Sequence, residues 1–288
     1  LRTLLLLILL PLLTAASALA SELLIVQSLR SPLYDEALRG FRESCSVKSR
    51  TLVLSDYSEV DLARVVREER PRLVLAVGDG ALTALRKVRG TPVLSLMALG
   101  LGNSGSVQVP GVGLAVKPEQ YLGIFKRVRL RRIGIVYDPA KSDWYLKQAR
   151  SAARQLGLDL VLREVHDPRQ VMAQLESLSG KVDCLWLLPD ATALTGETLE
   201  AYFLFAAGES VPVLSFSAAH LKLGALAVLE VDRLELGRQA GEMAQQMLRG
   251  ERPEPPVVLP HKVAVKANEA VARRLNISSE LLQLPSHK

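Results

Sequence analysis

Acids and serines at matched places in two similar stretches are the residues of this chain best suited to chemistry. Asp79 follows the apolar run Leu73–Val77, and Asp190 follows the apolar run Val182–Leu188. Beyond each lies a helix-like stretch, and then the same four letters: Pro92-Val93-Leu94-Ser95 and Pro212-Val213-Leu214-Ser215. Other candidates stand at strand ends: Ser28, Gly80, Tyr137, Asp138 and Ser217. A carboxylate at such a point can hold an ammonium group through a charge-assisted hydrogen bond. Helix N-termini behind Gly80 and Asp190 would turn free backbone N–H groups towards an anion. A zwitterion satisfies both. A plainer role is open to each acid: Asp79 and Asp190 sit where helix N-caps belong, and Asp138-Pro139 suits a turn. Tyr34 and Phe216 suit either a cleft wall or the core, and the core is the expectation.

These residues need elements that bring them to one edge. The matched stretches are residues 51–96 and 159–216, each with two apolar runs around a polar helix-like segment. Each is preceded by another apolar run with a helix behind it, ELLIVQS in the first copy and RIGIVYD in the second. Runs such as Leu73–Val77, apolar at nearly every position, suit parallel strands buried on both faces. Strands alternating with helices specify parallel sheets covered on both sides. The sequence therefore predicts two α/β, Rossmann-like lobes with parallel sheets, joined by several crossings into a hinged clamshell. The ligand cleft then lies between the carboxyl ends of both sheets.

The expected division is residues 21–117 with about 231–250 as lobe one, and 118–230 with about 251–278 as lobe two. Lys117-Pro118 marks the first crossing, GERPEPP at 250–256 is a stiff connector, and residues 279–288 read as a loose tail. Residues 1–20 stand outside the fold. Arg2, the apolar run Leu4–Leu13 and Ala18-Leu19-Ala20 follow the order of an export signal, with cleavage expected after Ala20.

Other signals exclude function classes. Aromatic residues make up 5% of the chain, too few for a base-stacking platform. The net charge of +6 is spread along the sequence, and the basic run KRVRLRR at 126–132 reads as solvated surface at a helix end. Gly78-Asp79-Gly80 lacks the spacing of a dinucleotide-binding turn and any P-loop lysine, so no cofactor is expected. No Cys/His cluster suggests a metal, and Cys45 and Cys184, in different repeats, are expected as separate free thiols. A hydrolytic set of Ser215, His220 and Asp190 can be drawn, but no GxSxG elbow or HExxH helix accompanies it.

Order, crossings and motifs together resemble the periplasmic substrate-binding proteins of ABC transporters, with the type I fold. The segment Gly224–Pro260 (GALAVLEVDRLELGRQAGEMAQQMLRGERPEPPVVLP) is similar to that family's strand, long helix and proline-bearing linker. Lys262–Asn276 (KVAVKANEAVARRLN) resembles its closing strand and Asn-led helix, and Asp190 matches an acid often found after the corresponding strand. Two departures stand out. Ser215-Phe216-Ser217-Ala218 carries no acid, and Asp79 replaces the usual threonine or small residue. The resemblance implies a non-enzymatic, monomeric periplasmic protein that closes on a small polar or zwitterionic solute, an amino acid among the candidates. It implies delivery to an inner-membrane ABC permease, without nucleic acid as a partner. A sensory protein signalling to a membrane receptor such as a sensor kinase shares this chemistry, and a periplasmic hydrolase is the alternative from another class.

Overall fold

The computed structural model describes residues 21–103 and 109–284. The expected export signal, part of the Gly/Ser-rich segment at 100–113 and the end of the tail lie outside the described residues. Lobe one opens with β1 (Leu23–Gln27), α1 (Pro32–Ser44), β2 (Ser49–Val53), α2 (Leu62–Glu69) and β3 (Leu73–Val77). It continues with α3 (Asp79–Leu85), β4 (Val93–Leu96) and β5 (Gly111–Val112). Lobe two runs through α4 (Pro118–Arg127), β6 (Arg132–Tyr137), α5 (Pro139–Leu156), β7 (Asp159–Glu164) and α6 (Val171–Glu176). There follow β8 (Cys184–Trp186), α7 (Gly196–Gly208), β9 (Val213–Ser215) and β10 (Ala227–Val231). The chain closes with α8 (Arg233–Leu248), β11 (Val257–Val258), β12 (Val263–Ala267) and α9 (Glu269–Arg274).

The duplication seen in sequence is a duplication of topology. One sheet has the order β2-β1-β3-β4-β5-β11 and the other β7-β6-β8-β9-β10-β12. All pairings are parallel except β10 with β12. Apolar clusters cover each sheet on both faces. The chain crosses between lobes after β5, between β10 and α8, and between β11 and β12.

Local chemistry sets the element boundaries. Ser31 caps α1, Asp138 caps α5 and Asp232 caps α8, each accepting a first-turn N–H, and Gly157 stops α5 in the left-handed conformation. The second helix begins at Leu62 rather than near Ser58, because Asp61 is the side chain that caps it. The fifth strand is Gly111–Val112 rather than Val112–Val116, since the chain leaves at Gly113 to cross to lobe two. Two assignments are corrected. Val257–Val258 pairs with β5, so this part of the connector belongs to the first sheet and not to lobe two. The tail is docked up to Leu284: Leu282 is fully buried, and Arg127 donates to the carbonyls of Leu281 and Gln283. Cys45 and Cys184 are both free and buried, in different lobes.

Helix α8 returns to lobe one and lies against α1 at backbone contact. A Cβ added at Gly237 would stand 1.9 Å from the Ala37 carbonyl oxygen, and one at Gly40 1.9 Å from that of Leu234. Neither backbone can yield without separating the helices. Gly237→Ala is therefore expected to lower stability by roughly 1–3 kcal/mol or more, measured by urea denaturation. Gly208→Ala is the control, because an added Cβ there meets nothing within 4 Å; it should be neutral or slightly stabilising.

Candidate functional site

A cavity of about 330 Å³ lies between the lobes. Leu33, Tyr34, Asp79, Met97 and Leu99 line it from lobe one, and residues of the crossings, among them Arg233, form part of its wall. Lobe two supplies Lys141, Ser142, Trp144, Tyr145, Trp186, Phe216 and Ser217. Both tryptophans of the chain are in this wall. Trp186 anchors an aromatic cluster, with ring centroids 4.9 Å from Tyr121, 5.8 Å from Tyr145 and 6.0 Å from Phe125. Trp144 meets Tyr145 edge-on at 5.6 Å. Such tilted and edge-on contacts suit the ring quadrupoles and fix the wall's shape.

The polar groups are few. Asp79 accepts the backbone N–H of Gly100 at 2.7 Å on one oxygen and of Leu99 at 3.1 Å on the other. This ties the loop after β4 to the start of α3 and leaves each carboxylate oxygen further acceptor capacity. Burial, and then the Asp79 charge, raise the pKa of the neighbouring Tyr34 phenol, which keeps it a neutral donor. Arg233 lies 3.6 Å from Glu36 of lobe one and 3.6 Å from Glu230 of lobe two, so its guanidinium spans the hinge. Met97 holds φ of 60° at the cavity edge. That conformation is costly for a non-glycine residue, and such strain clusters at ligand clamps.

Of the residues expected from sequence, the structure brings Asp79 and Ser217 to the cavity. Asp190 is corrected: it is 2% exposed and all its acceptor positions face inward. One oxygen takes the Asp138 N–H at 2.9 Å and the Ser142 hydroxyl at 2.6 Å; the other takes the N–H groups of Thr192 and Ala193. It fastens the end of β8 to the start of α5 and is not in the cavity wall. Asp138 caps α5 and accepts from the Thr192 hydroxyl at 2.7 Å. Tyr137 is buried and donates to Glu164 at 2.9 Å. Ser28 donates to the Val77 carbonyl and accepts from the Ala81 N–H, holding the turn in which Gly80 packs beside it. Ser95 is fully buried, packed beside Gly111 and Leu101. Ser215 is fully buried, its Oγ 2.6 Å from His220 Nδ1.

The core expectation for Tyr34 and Phe216 is also corrected, since both line the cavity. The sequence reading missed Lys141, Trp144, Tyr145, Trp186 and Arg233. One signal was present: in a chain with two tryptophans, Lys141-Ser142-Asp143-Trp144-Tyr145 begins just behind the strand end at Tyr137. The hydrolytic set does not assemble. Ser215 and His220 meet inside the core, and Asp190 uses its oxygens on Asp138, Ser142, Thr192 and Ala193.

Residues 56–286 match the family described as "ABC transporter substrate binding protein". The chain belongs to that family. Its members are substrate-binding proteins rather than enzymes, and they typically work outside the cytoplasm. This family member is 22% identical over 251 residues to the "Tyrosine-binding protein" of Clostridioides difficile (strain R20291), covering 78% of this chain and 72% of that protein. It is similar to the ligand-free, open structure of a substrate binding protein with adhesive properties from Clostridium difficile. The TM-score is 0.66 at 20% identity, over 93% of this chain and 97% of that one. It is also similar to the ABC domain from Streptococcus pneumonia in complex with L-Trp, with TM-score 0.62 at 20% identity, over 90% and 97% of the two chains. The two-lobe fold is thus that of type I periplasmic binding proteins.

Two outcomes follow. Asn at 190 keeps one acceptor oxygen but turns an N–H₂ towards donors, so Asp190→Asn should cost about 2–4 kcal/mol of stability. At temperatures where the variant stays folded, affinity should change little. A normal melting curve with lost binding would return Asp190 to the ligand.

His220 packs edge-on against Phe216, with centroids 5.2 Å apart, and burial lowers its pKa by disfavouring the cation. A histidine depressed on folding contributes stability above its unfolded pKa of about 6.5, and this is lost as pH falls through that value towards the folded pKa. Melting temperature should therefore drop between pH 7.5 and 5, and His220→Gln should flatten that limb. An unchanged slope in the variant would refute the assignment.

Proposed function

We propose that the cavity takes a single amino-acid zwitterion with an aromatic or bulky apolar side chain. The supporting observation is the composition of the wall: the aromatic group of Tyr34, Trp144, Tyr145, Trp186 and Phe216 beside one acid, Asp79, and the cations Lys141 and Arg233. A volume of about 330 Å³ sits at the small end of ligand pockets, which run from about 300 to 1,000 Å³. In this reading Asp79 receives the ammonium, Arg233 or Lys141 pairs with the carboxylate, and the side chain lies against the rings. Relatives that bind tyrosine or tryptophan support the same class.

Because the polar partners come from both lobes, the ligand favours the closed arrangement, in which all of them reach it at once. Residues 1–20 then act as an export signal cleaved after Ala20, and the mature periplasmic protein works as a monomer that delivers its ligand to an inner-membrane ABC permease. The family and the export-like N-terminal sequence support that reading.

Thermal shift and tryptophan fluorescence test the ligand class directly, since Trp144 and Trp186 are both in the wall. L-tryptophan, L-tyrosine, L-phenylalanine and L-leucine are to be compared with L-glutamate, L-lysine and glucose. A ligand at 100 times its dissociation constant adds about 2.7 kcal/mol of stability. Asp79→Asn should weaken the best ligand by at least about tenfold. Stabilisation by glucose alone, or an Asp79→Asn affinity equal to wild type, would sink the zwitterion reading.

A further inference from the structure

Among the described residues, Tyr34 is the only aromatic side chain that lobe one sends into the cavity wall. It is held at both ends. Its backbone belongs to the first turn of α1, where the Tyr34 N–H donates to the Ser31 carbonyl at 3.0 Å. Its hydroxyl reaches the turn between β3 and α3. A Cβ added there at Gly78 would stand 2.2 Å from the Tyr34 hydroxyl oxygen, 2.8 Å from its Cζ and 2.7 Å from Ser28 Oγ. The space that a side chain at Gly78 would fill is thus where the phenol and the Ser28 hydroxyl lie together. Gly78 also holds φ 85° and ψ 167°, a region open essentially only to glycine.

The seat for the hydroxyl is tied to three strand ends. The Gly78 N–H donates to the Leu96 carbonyl at 2.9 Å, and the Ser28 N–H to the Val77 carbonyl at 3.0 Å. Ser28 Oγ donates to that same Val77 carbonyl at 3.0 Å and accepts from the Ala81 N–H at 2.8 Å. These bonds use the Ser28 proton and leave its Oγ further acceptor capacity. Burial and then the Asp79 charge raise the pKa of the Tyr34 phenol, and the Ser28 hydroxyl opposes them, so both groups lie close to it. A ring fixed at its backbone and at its hydroxyl gives up its freedom on folding. None is then left to lose on binding, which is the condition for a preorganised contact.

We propose that Ser28 and Gly78 are positioning residues for the ligand cavity: they seat the Tyr34 hydroxyl and so hold its ring ready as the aromatic face of lobe one. A ligand side chain then meets a fixed ring on this side and the cluster around Trp186 on the other. The role in binding rests on the amino-acid reading of the cavity, whereas the seat itself does not.

Urea denaturation and calorimetry of Ser28→Ala, Tyr34→Phe and the double variant test both parts. Gly78→Ala is unsuitable, because its backbone conformation alone would cost stability. Side chains that act as one unit do not have additive effects. The two single variants should therefore overpredict the unfolding constant of the double variant by about threefold or more. Replacing Tyr34→Phe in this cycle by Tyr57→Phe, at an exposed tyrosine, should remove the coupling. Affinity is measured with L-tyrosine, L-tryptophan and L-phenylalanine. Freeing a side chain that binding must then order weakens association by roughly three- to tenfold. Tyr34→Phe and Ser28→Ala should each show that loss, and the double variant no more than the larger of the two. Additive stabilities would overturn the seat. Coupled stabilities with wild-type affinity in both single variants would make the seat structural only and overturn the positioning role. Should no amino acid bind the wild-type protein, the ligand reading fails with the role in binding, and the stability cycle still decides whether the seat exists.

Discussion

One buried carboxyl group, Asp190, ties together the two elements that carry most of the lobe-two cavity wall. A buried carboxyl group is tolerated only if its acceptors are met, and Asp138, Ser142, Thr192 and Ala193 meet those of Asp190. Those four residues come from the ends of two neighbouring strand–helix units. By satisfying itself, Asp190 sets where α5 begins relative to β8. The first turns of α5 then present Lys141, Ser142, Trp144 and Tyr145 to the cavity, while β8 delivers Trp186 beside them. A residue outside the site thus fastens together the elements that bear its wall.

A second constraint works from lobe one. Helix α8 follows a lobe-two strand in sequence and packs on a lobe-one helix in space. Gly237 and Gly40 let it approach α1 to backbone contact, so the crossing before α8 is anchored firmly on one side. Arg233 sits at that crossing with carboxylates of both lobes 3.6 Å away. In the proposed reading, a ligand carboxylate reaching Arg233 would compete with those pairs and so couple occupancy of the cavity to the crossing. Phe216 is held in the wall from behind by His220, itself fixed by Ser215. The matched serine and acid of lobe two therefore support the wall from within.

Fold and site differ in how far a linear reading reached. Parallel strands buried on both faces need continuous apolar runs, and helices need caps and stops; these are local requirements written in consecutive letters. Leu73–Val77, Asp138-Pro139 and Gly157 could be read one segment at a time. The repeated Pro-Val-Leu-Ser motif correctly marked equivalent strands. It misled about the site because a strand alternates its faces: Ser95, one residue before the end of β4, and Ser215, the last of β9, are both fully buried in packed layers. Asp79 and Asp190 occupy equivalent positions, yet the first reaches the cavity and the second is enclosed by the segment from Pro189 to Ala193.

By itself, the sequence determined two α/β lobes, their internal order, the edge at which the cavity lies and the family they belong to. Each of these follows from short-range pattern or from motif. Only the tertiary structure decided which side chains line the cavity, that β11 completes the first sheet, and that the C-terminal segment is docked by Arg127. Those outcomes turn on distances between residues far apart in the chain and on which donors reach a buried acceptor first. Asp190 was legible as an acid at a strand end, but whether its side chain faces a ligand or four donors of its own lobe is settled by the neighbours that the fold brings to it.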